Sequence, residues 1–237
     1  MSHPTRPSTT PSTNPSTTST HMDDDALWAA IDDQRRRTAD LLDTLTDEQW
    51  QHPSLCDGWT VRHVAAHLTM QQQRVRDIVS FTVRNPRMLR SLTLNRTIHD
   101  SAVLQARLPT EEIVARIRGS IGSRRHNAFL TPRETLTDTL VHSQDIAIPL
   151  GLPLDLQPEA AAEAATRVWD TRRTWLAGVF RPIPLDGVRL TATDVEWSVG
   201  EGAEVTGPIG AILLLLTGRR ARLDELTGPG VATLREA

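Results

Sequence analysis

The stretch TPRETLTDTLVHSQDIAIPLG, residues 131–151, carries both ends of a helix in its own letters. Thr131 offers a side-chain oxygen to the first unpaired backbone N–H groups, Pro132 sits where a missing N–H costs nothing, and Glu134 closes the box. Pro149 and Gly151 then stop the helix. Within it, Asp138, His142 and Asp145 fall at i, i+4 and i+7 and therefore share one face.

Upstream, Thr60 caps a helix in which Val61, Val64, Ala65, Leu68, Val75, Ile78 and Val79 recur at spacings of three and four. His63 and His67 lie one turn apart on it. The preceding HPSLCDGW, residues 52–59, breaks helical periodicity with Pro, Asp and Gly and reads as a loop, and Thr46 with Gln49 marks a short capped turn before it. From Asp23, three Asp residues followed by Leu27, Ile31, Leu41, Leu42 and Leu45 start the first helix. A less regular helix is expected from about Pro86 to Leu108, and a shorter one over Thr110 to Arg125. Four main helices joined by loops pack most naturally as an up-and-down bundle, here residues 23–151.

Both flanks differ in texture. Residues 1–22 are nearly all Ser, Thr, Pro, Asn and His, a composition that buries nothing, and are expected to be a disordered tail. Downstream, an Ala-rich helix from about Pro158 to Phe180 leads to VRLTAT, VEWSV and AEVT, three short strands separated by Asp194 and by GEG. Gly207 and Pro208 open the apolar helix IGAILLLL. Residues 156–237 therefore read as a second, α+β domain, and the fold class overall is α+β.

A net charge of −3, with Arg interspersed among Asp and Glu, gives no basic face for nucleic acid. The longest apolar run, residues 209–216, is far short of the ~18 to 20 residues of a membrane span. The single cysteine, Cys56, cannot close an internal disulfide, and no secretory apolar segment opens the chain, so a reducing cytoplasm is the expected compartment.

Two helices can thus turn imidazole and carboxylate inward, His63 and His67 from one and Asp138, His142 and Asp145 from the other. A bundle interior where such faces meet is a recurrent setting for a divalent metal, and two His with one carboxylate leave positions open for water or substrate. On spacing alone an Asp-x-x-x-His pair on a helix is more often a surface or capping interaction than a metal site. His52 and His126 lie beside loops and read as solvent-exposed, and His99 could reach the site but has no partner at helical spacing.

DGWTVRHVAAHL at 57–68, together with DTLVHSQDIAIPLG at 138–151, resembles the paired signatures of the mycothiol-dependent maleylpyruvate isomerase family, a branch of the DinB-like bundles. GVRLTATDVEWSVGEGAEVTGP and LLLLTGRRARLDELTGPG resemble its small, sterol-carrier-like C-terminal domain, so the resemblance runs from Asp23 onward. It implies a divalent ion, zinc first, held by His67, Asp138 and His142, with Asp138 standing where the isomerases have Glu. It also implies mycothiol as thiol cosubstrate, a metal that lowers the thiol pKa, and a small electrophile as the second substrate. Arg219 in LTGRR matches the family's functional Arg and is the expected catalytic residue; a solvated Arg at a helix C-terminus is the alternative. Asp145 orients an imidazole or forms a helix-surface ion pair, and His63 is either a further ligand or a satisfied bundle histidine. Cys56 has nothing nearby in sequence to lower its pKa and reads as incidental. The implied activity is that of a metal-dependent, mycothiol-using isomerase or transferase, monomeric or homodimeric. The alternative is a non-catalytic metal-binding or stress-response protein of the same fold.

Overall fold

The computed structural model describes residues 21–73, 76, 80, 83, 94–128, 130–174 and 183–236. Among these are nine α-helices and one three-stranded sheet, an α+β fold. The helices are α1 (Asp24–Asp43), α2 (Asp47–Gln51), α3 (Val61–Leu68), α4 (Leu94–Gln105), α5 (Thr110–Gly119), α6 (Pro132–Ala147), α7 (Pro158–Thr171), α8 (Ile209–Leu216) and α9 (Val231–Glu236). The expected tail lies outside the described residues up to position 20, as do Val75, Ile78 and Val79 of the expected second helix, residues 86–93 of the expected third and 175–180 at the end of the Ala-rich one. The last two residues of the expected tail are in contact with the fold. Met22 packs against the apolar core and its N–H donates to Glu163 Oε2 at 3.1 Å.

The α6 helix begins as its sequence dictates, with Thr131 at the cap, Pro132 at the first position, and Glu134 Oε2 accepting from the Thr131 N–H at 2.7 Å. It ends by tightening into a 3₁₀ turn over Ile148–Leu150, and Gly151 takes the left-handed conformation, φ 64°, that closes it. This helix is central, packing against α1, α3 and α7. Leu136, Leu140 and Ile146 are fully buried, while Asp138 and His142 lie on the face toward α3.

Two apolar clusters hold the molecule together. One joins Ala39, Leu42, Trp50, Trp59, Val61, Val64, Ala65, Leu68, Ile113, Ile117 and Ile146, from α1, α2, α3, α5 and α6. The other joins Leu27, Ile31, Leu136 and Leu140 to Ala161, Ala164, Ala165, Leu190, Val205 and the α8 residues Ile212 to Leu215. The sheet, α7 and α8 are thus packed directly onto the first turns of α1 and the first half of α6. Along α1, the positions between the two sets, Gln34, Arg35 and Thr38, are buried polar side chains.

The sheet runs β2-β1-β3, with β1 (Val188–Ala192) antiparallel to β2 (Ser198–Gly200) and parallel to β3 (Ala203–Gly207). The edge strand β2 begins later than the VEWSV run suggests; just before it, Asp194 Oδ1 accepts from the N–H of Ile209 at 2.8 Å, tying the bend to the start of α8. Among the described residues, no helix is long and apolar enough to cross a membrane.

Candidate metal centre

Residues 52–60 place the mouth of the site. Gly58 takes a positive φ, Ser54 N–H donates to the Trp59 carbonyl at 2.9 Å, and Val61 N–H to the His52 carbonyl at 2.9 Å, which folds the loop back on itself before α3 begins. Leu55 N–H donates to the Asp145 carbonyl at 3.2 Å and so fastens the loop to the last turn of α6. Trp59 is delivered beside the histidines, its ring centroid 5.5 Å from that of His67 and 6.4 Å from that of His142.

His67 from α3 and His142 from α6 meet edge to face, their centroids 4.8 Å apart. Both turn Nε2 toward the same oxygen, Asp138 Oδ1, at 3.3 Å each. These three residues offer ligand atoms that lie within 4.8 Å of one another. An ion about 2.0–2.1 Å from each atom of a tetrahedral set separates those atoms by roughly 3.4 Å, so the two 3.3 Å edges fit a divalent cation of zinc's size. Asp138 keeps 31 % of its side chain exposed, against 15 % for His67 and 13 % for His142, which leaves one side open to solvent.

The electrostatics favour positive charge at this point. Burial pushes the Asp138 carboxyl up, but His67 and His142 carry it well below the usual carboxylate range. Burial pushes the His142 imidazole down, but Asp138, Asp145 and Cys56 carry it well above its ordinary value. The donor set, two imidazoles around one carboxylate, is complementary to a cation.

Behind His142 lies a second layer. Asp145 has no exposed side chain and accepts from His142 Nδ1 at 2.8 Å, from Arg219 Nε at 3.0 Å and Nη2 at 2.8 Å, and from the Cys56 thiol at 3.1 Å. Burial opposes its charge, but His142 and Arg219 hold its carboxyl far below the ordinary range. Because the Nδ1–H is committed to Asp145, His142 must face Asp138 and the open side through Nε2. Arg219, from the turn that follows α8, also donates through Nη1 to the Thr217 carbonyl at 2.7 Å, and its Nη2 lies 3.6 Å from Cys56 Sγ.

The sequence-derived ligands His67, Asp138 and His142 are therefore brought together, and Arg219 reaches the same neighbourhood through Asp145. His63 stands apart in role, because its Nδ1 accepts from the Thr60 N–H at 3.1 Å and so completes the cap of α3. The sequence assigns no role to two neighbours of the centre: Cys56 reads as incidental there and Gln71 is not singled out. Cys56 sits against Asp145, His142 and Arg219, from 86 to 163 residues away in sequence. Gln71 donates to Asp138 Oδ2 at 2.7 Å. Only the position of Gln71, one turn beyond His67, was a signal in the sequence.

Residues 31–128 match the family model described as the mycothiol maleylpyruvate isomerase N-terminal domain. That stretch includes His67 and ends before Asp138. No curated protein matches the chain. Among solved structures, the crystal structure of the mycothiol-dependent maleylpyruvate isomerase superposes with a TM-score of 0.56 at 13% identity, covering 88% of this chain and 93% of that one. A histidine-to-alanine mutant of that isomerase gives a TM-score of 0.57 at 12% identity with the same coverage. Residues 31–128 thus match the mycothiol maleylpyruvate isomerase N-terminal domain, and the chain has the fold of the mycothiol-dependent maleylpyruvate isomerase.

Proposed function

We propose that the chain is a metal-dependent, mycothiol-using isomerase or transferase acting on a small electrophile. The observation that carries this reading is the convergence of His67 and His142, through their Nε2 atoms, on one oxygen of Asp138 at 3.3 Å. His67, Asp138 and His142 would hold a divalent ion, zinc being the best match to two imidazoles and a carboxylate, and the ion would supply the cationic field that keeps a bound thiol as thiolate at neutral pH.

The chain's own residues do the rest. Asp145 fixes His142 in one tautomer and orientation. Trp59 lines the histidines with an apolar ring, which excludes water from one side of the centre. Arg219 is the cation for an anionic substrate or thiol carboxylate. Asp145 occupies its Nε–H and one Nη2–H, Cys56 Sγ the other Nη2–H and Thr217 one Nη1–H, which holds the guanidinium still and leaves the second Nη1–H for a ligand. Polarisation of a carbonyl or carboxylate by that N–H and the guanidinium charge would assist addition of the thiolate to a conjugated substrate.

The test is metal content followed by turnover. Purified protein should bind one equivalent of zinc, His67→Ala and His142→Ala should each lose it, and the loaded protein with mycothiol should convert at least one member of a panel of conjugated small electrophiles. Stoichiometric metal without turnover on any electrophile would leave the non-catalytic metal-binding reading in its place. Failure of the wild type to retain metal against a mild chelator would remove both.

A further inference from the structure

The two oxygens of Asp138 have different partners. Oδ1 faces the Nε2 atoms of His67 and His142, whereas Oδ2 accepts a 2.7 Å hydrogen bond from Gln71 Nε2. Gln71 is itself held on every polar atom. Its Oε1 accepts from Arg35 Nη2 at 3.3 Å, and its Nε2 reaches Thr139 Oγ1 at 3.0 Å as well as Asp138. The orientation of that amide is settled by chemistry, since a guanidinium only donates and a carboxylate only accepts. Arg35, with 2 % of its side chain exposed, is anchored in turn by its Nη1–H to the Ser120 carbonyl at 3.0 Å. A buried chain therefore runs from the end of α5 through α1 to the carboxylate on α6.

We propose that Gln71, locked by Arg35, is a positioning residue for the metal centre, holding Asp138 by Oδ2 so that Oδ1 alone is presented to the ion. The inference rests on the metal reading above and concerns how this chain makes a short carboxylate serve. An aspartate with 31 % of its side chain exposed can rotate both oxygens toward a cation or turn toward water. Fixing one oxygen removes those alternatives before the ion arrives, so less freedom is lost on binding. Gln71 also lies four residues beyond His67, so the segment that delivers one imidazole delivers the group that aims the carboxylate.

The test uses full-length protein, zinc affinity by competition with a chromophoric chelator, and the visible absorption of the cobalt(II)-loaded form, which reports coordination independently of turnover. Gln71→Met removes the amide at nearly constant volume. It should weaken zinc about ten- to hundredfold, as loss of a ligand's hydrogen-bond partner commonly does, and alter the cobalt spectrum. Asp138→Glu should raise affinity more in the Gln71→Met background than in the wild type, because a longer carboxylate needs less aiming. If Gln71→Met fails to fold, Gln71→Asn keeps an uncharged amide beside Arg35 but is one methylene shorter, which draws its N–H away from Asp138, and the same loss and spectral change are expected. Wild-type affinity and an unchanged spectrum in whichever variant folds would overturn the positioning role while leaving the metal site standing. A wild type that takes no stoichiometric metal would overturn the metal reading, and this inference with it.

Discussion

Asp145→Asn changes one charge and almost no volume at a position where the side chain has no exposure to solvent. The wild-type carboxylate accepts from His142, Arg219 and Cys56 at once. An amide has one acceptor oxygen, and its NH₂ must point at a group that is itself a donor. Arg219, with 14 % of its side chain exposed, is left without a counter-charge. Removing one partner of a buried ion pair costs about 3–5 kcal/mol, and the residual hydrogen bond with the partial exposure of Arg219 places this case near 3 kcal/mol. For a chain of this size that corresponds to a fall in Tm of roughly 6–12 °C. The measurement is thermal unfolding by circular dichroism in the presence of chelator, so that bound metal does not contribute to the difference. Arg219→Met should also destabilise, because it leaves a buried carboxylate with less compensation. The double variant should then be more stable than the two losses added, by about 1 kcal/mol or more. An Asp145→Asn protein within about 0.5 kcal/mol of wild type, the range of ordinary surface changes, together with additive losses, would refute the idea that this buried pair ties the C-terminal turn to α6.

Glu134, which accepts from Thr131 and Arg167, is pushed up by burial but held below the ordinary carboxyl range by those partners. Its contribution is therefore present above the unfolded value of about 4.3 and lost as pH falls through the lower folded value, so the Tm gap between wild type and Glu134→Gln should persist at pH 6–8 and close on acidification. Gly207→Ala should lower Tm, because a Cβ there would stand 2.6 Å from Leu226 Cδ2 and 2.9 Å from the Glu225 carbonyl oxygen, and the backbone atom has little room to move. Cys56→Ala should cost about 1 kcal/mol or less in the same unfolding assay, since Asp145 keeps its hydrogen bonds from His142 and Arg219; a much larger loss would mean that the thiol holds the loop to α6.

The fold was legible wherever a local signal coincided with a tertiary one. Thr131, Pro132 and Glu134 announce α6 by chemistry that needs no neighbour, and the three- and four-residue spacing of Val61, Val64 and Leu68 announces the buried face of α3. IGAILLLL reads as a buried helix because a segment apolar on every side must be covered on every side, and all eight of its residues are buried. The short β2 strand was less legible. VEWSV has strand composition, but the hydrogen bond from Ile209 to Asp194 bends the chain first, and that bond joins positions 15 residues apart.

At the site, what sequence could supply was the pair of helical faces, and what it could not supply was the partner of each atom. Asp138, His142 and Asp145 share a face by periodicity, yet periodicity does not say that Asp138 looks toward α3 while Asp145 looks toward the turn after α8. That difference sets their roles. Asp138 is the carboxylate shared by two imidazoles with a side open to water, whereas Asp145 is sealed, neutralised by Arg219, and able to act only through His142 and Arg219. Cys56 illustrates the limit from the other direction. Nothing within several residues of it carries charge complementary to a thiol except by tertiary contact, and the loop bond from Leu55 to the Asp145 carbonyl is what brings it there. A residue's chemistry is written in its type, but whether it meets a metal ligand, a buried cation or water is decided by packing that no spacing rule encodes.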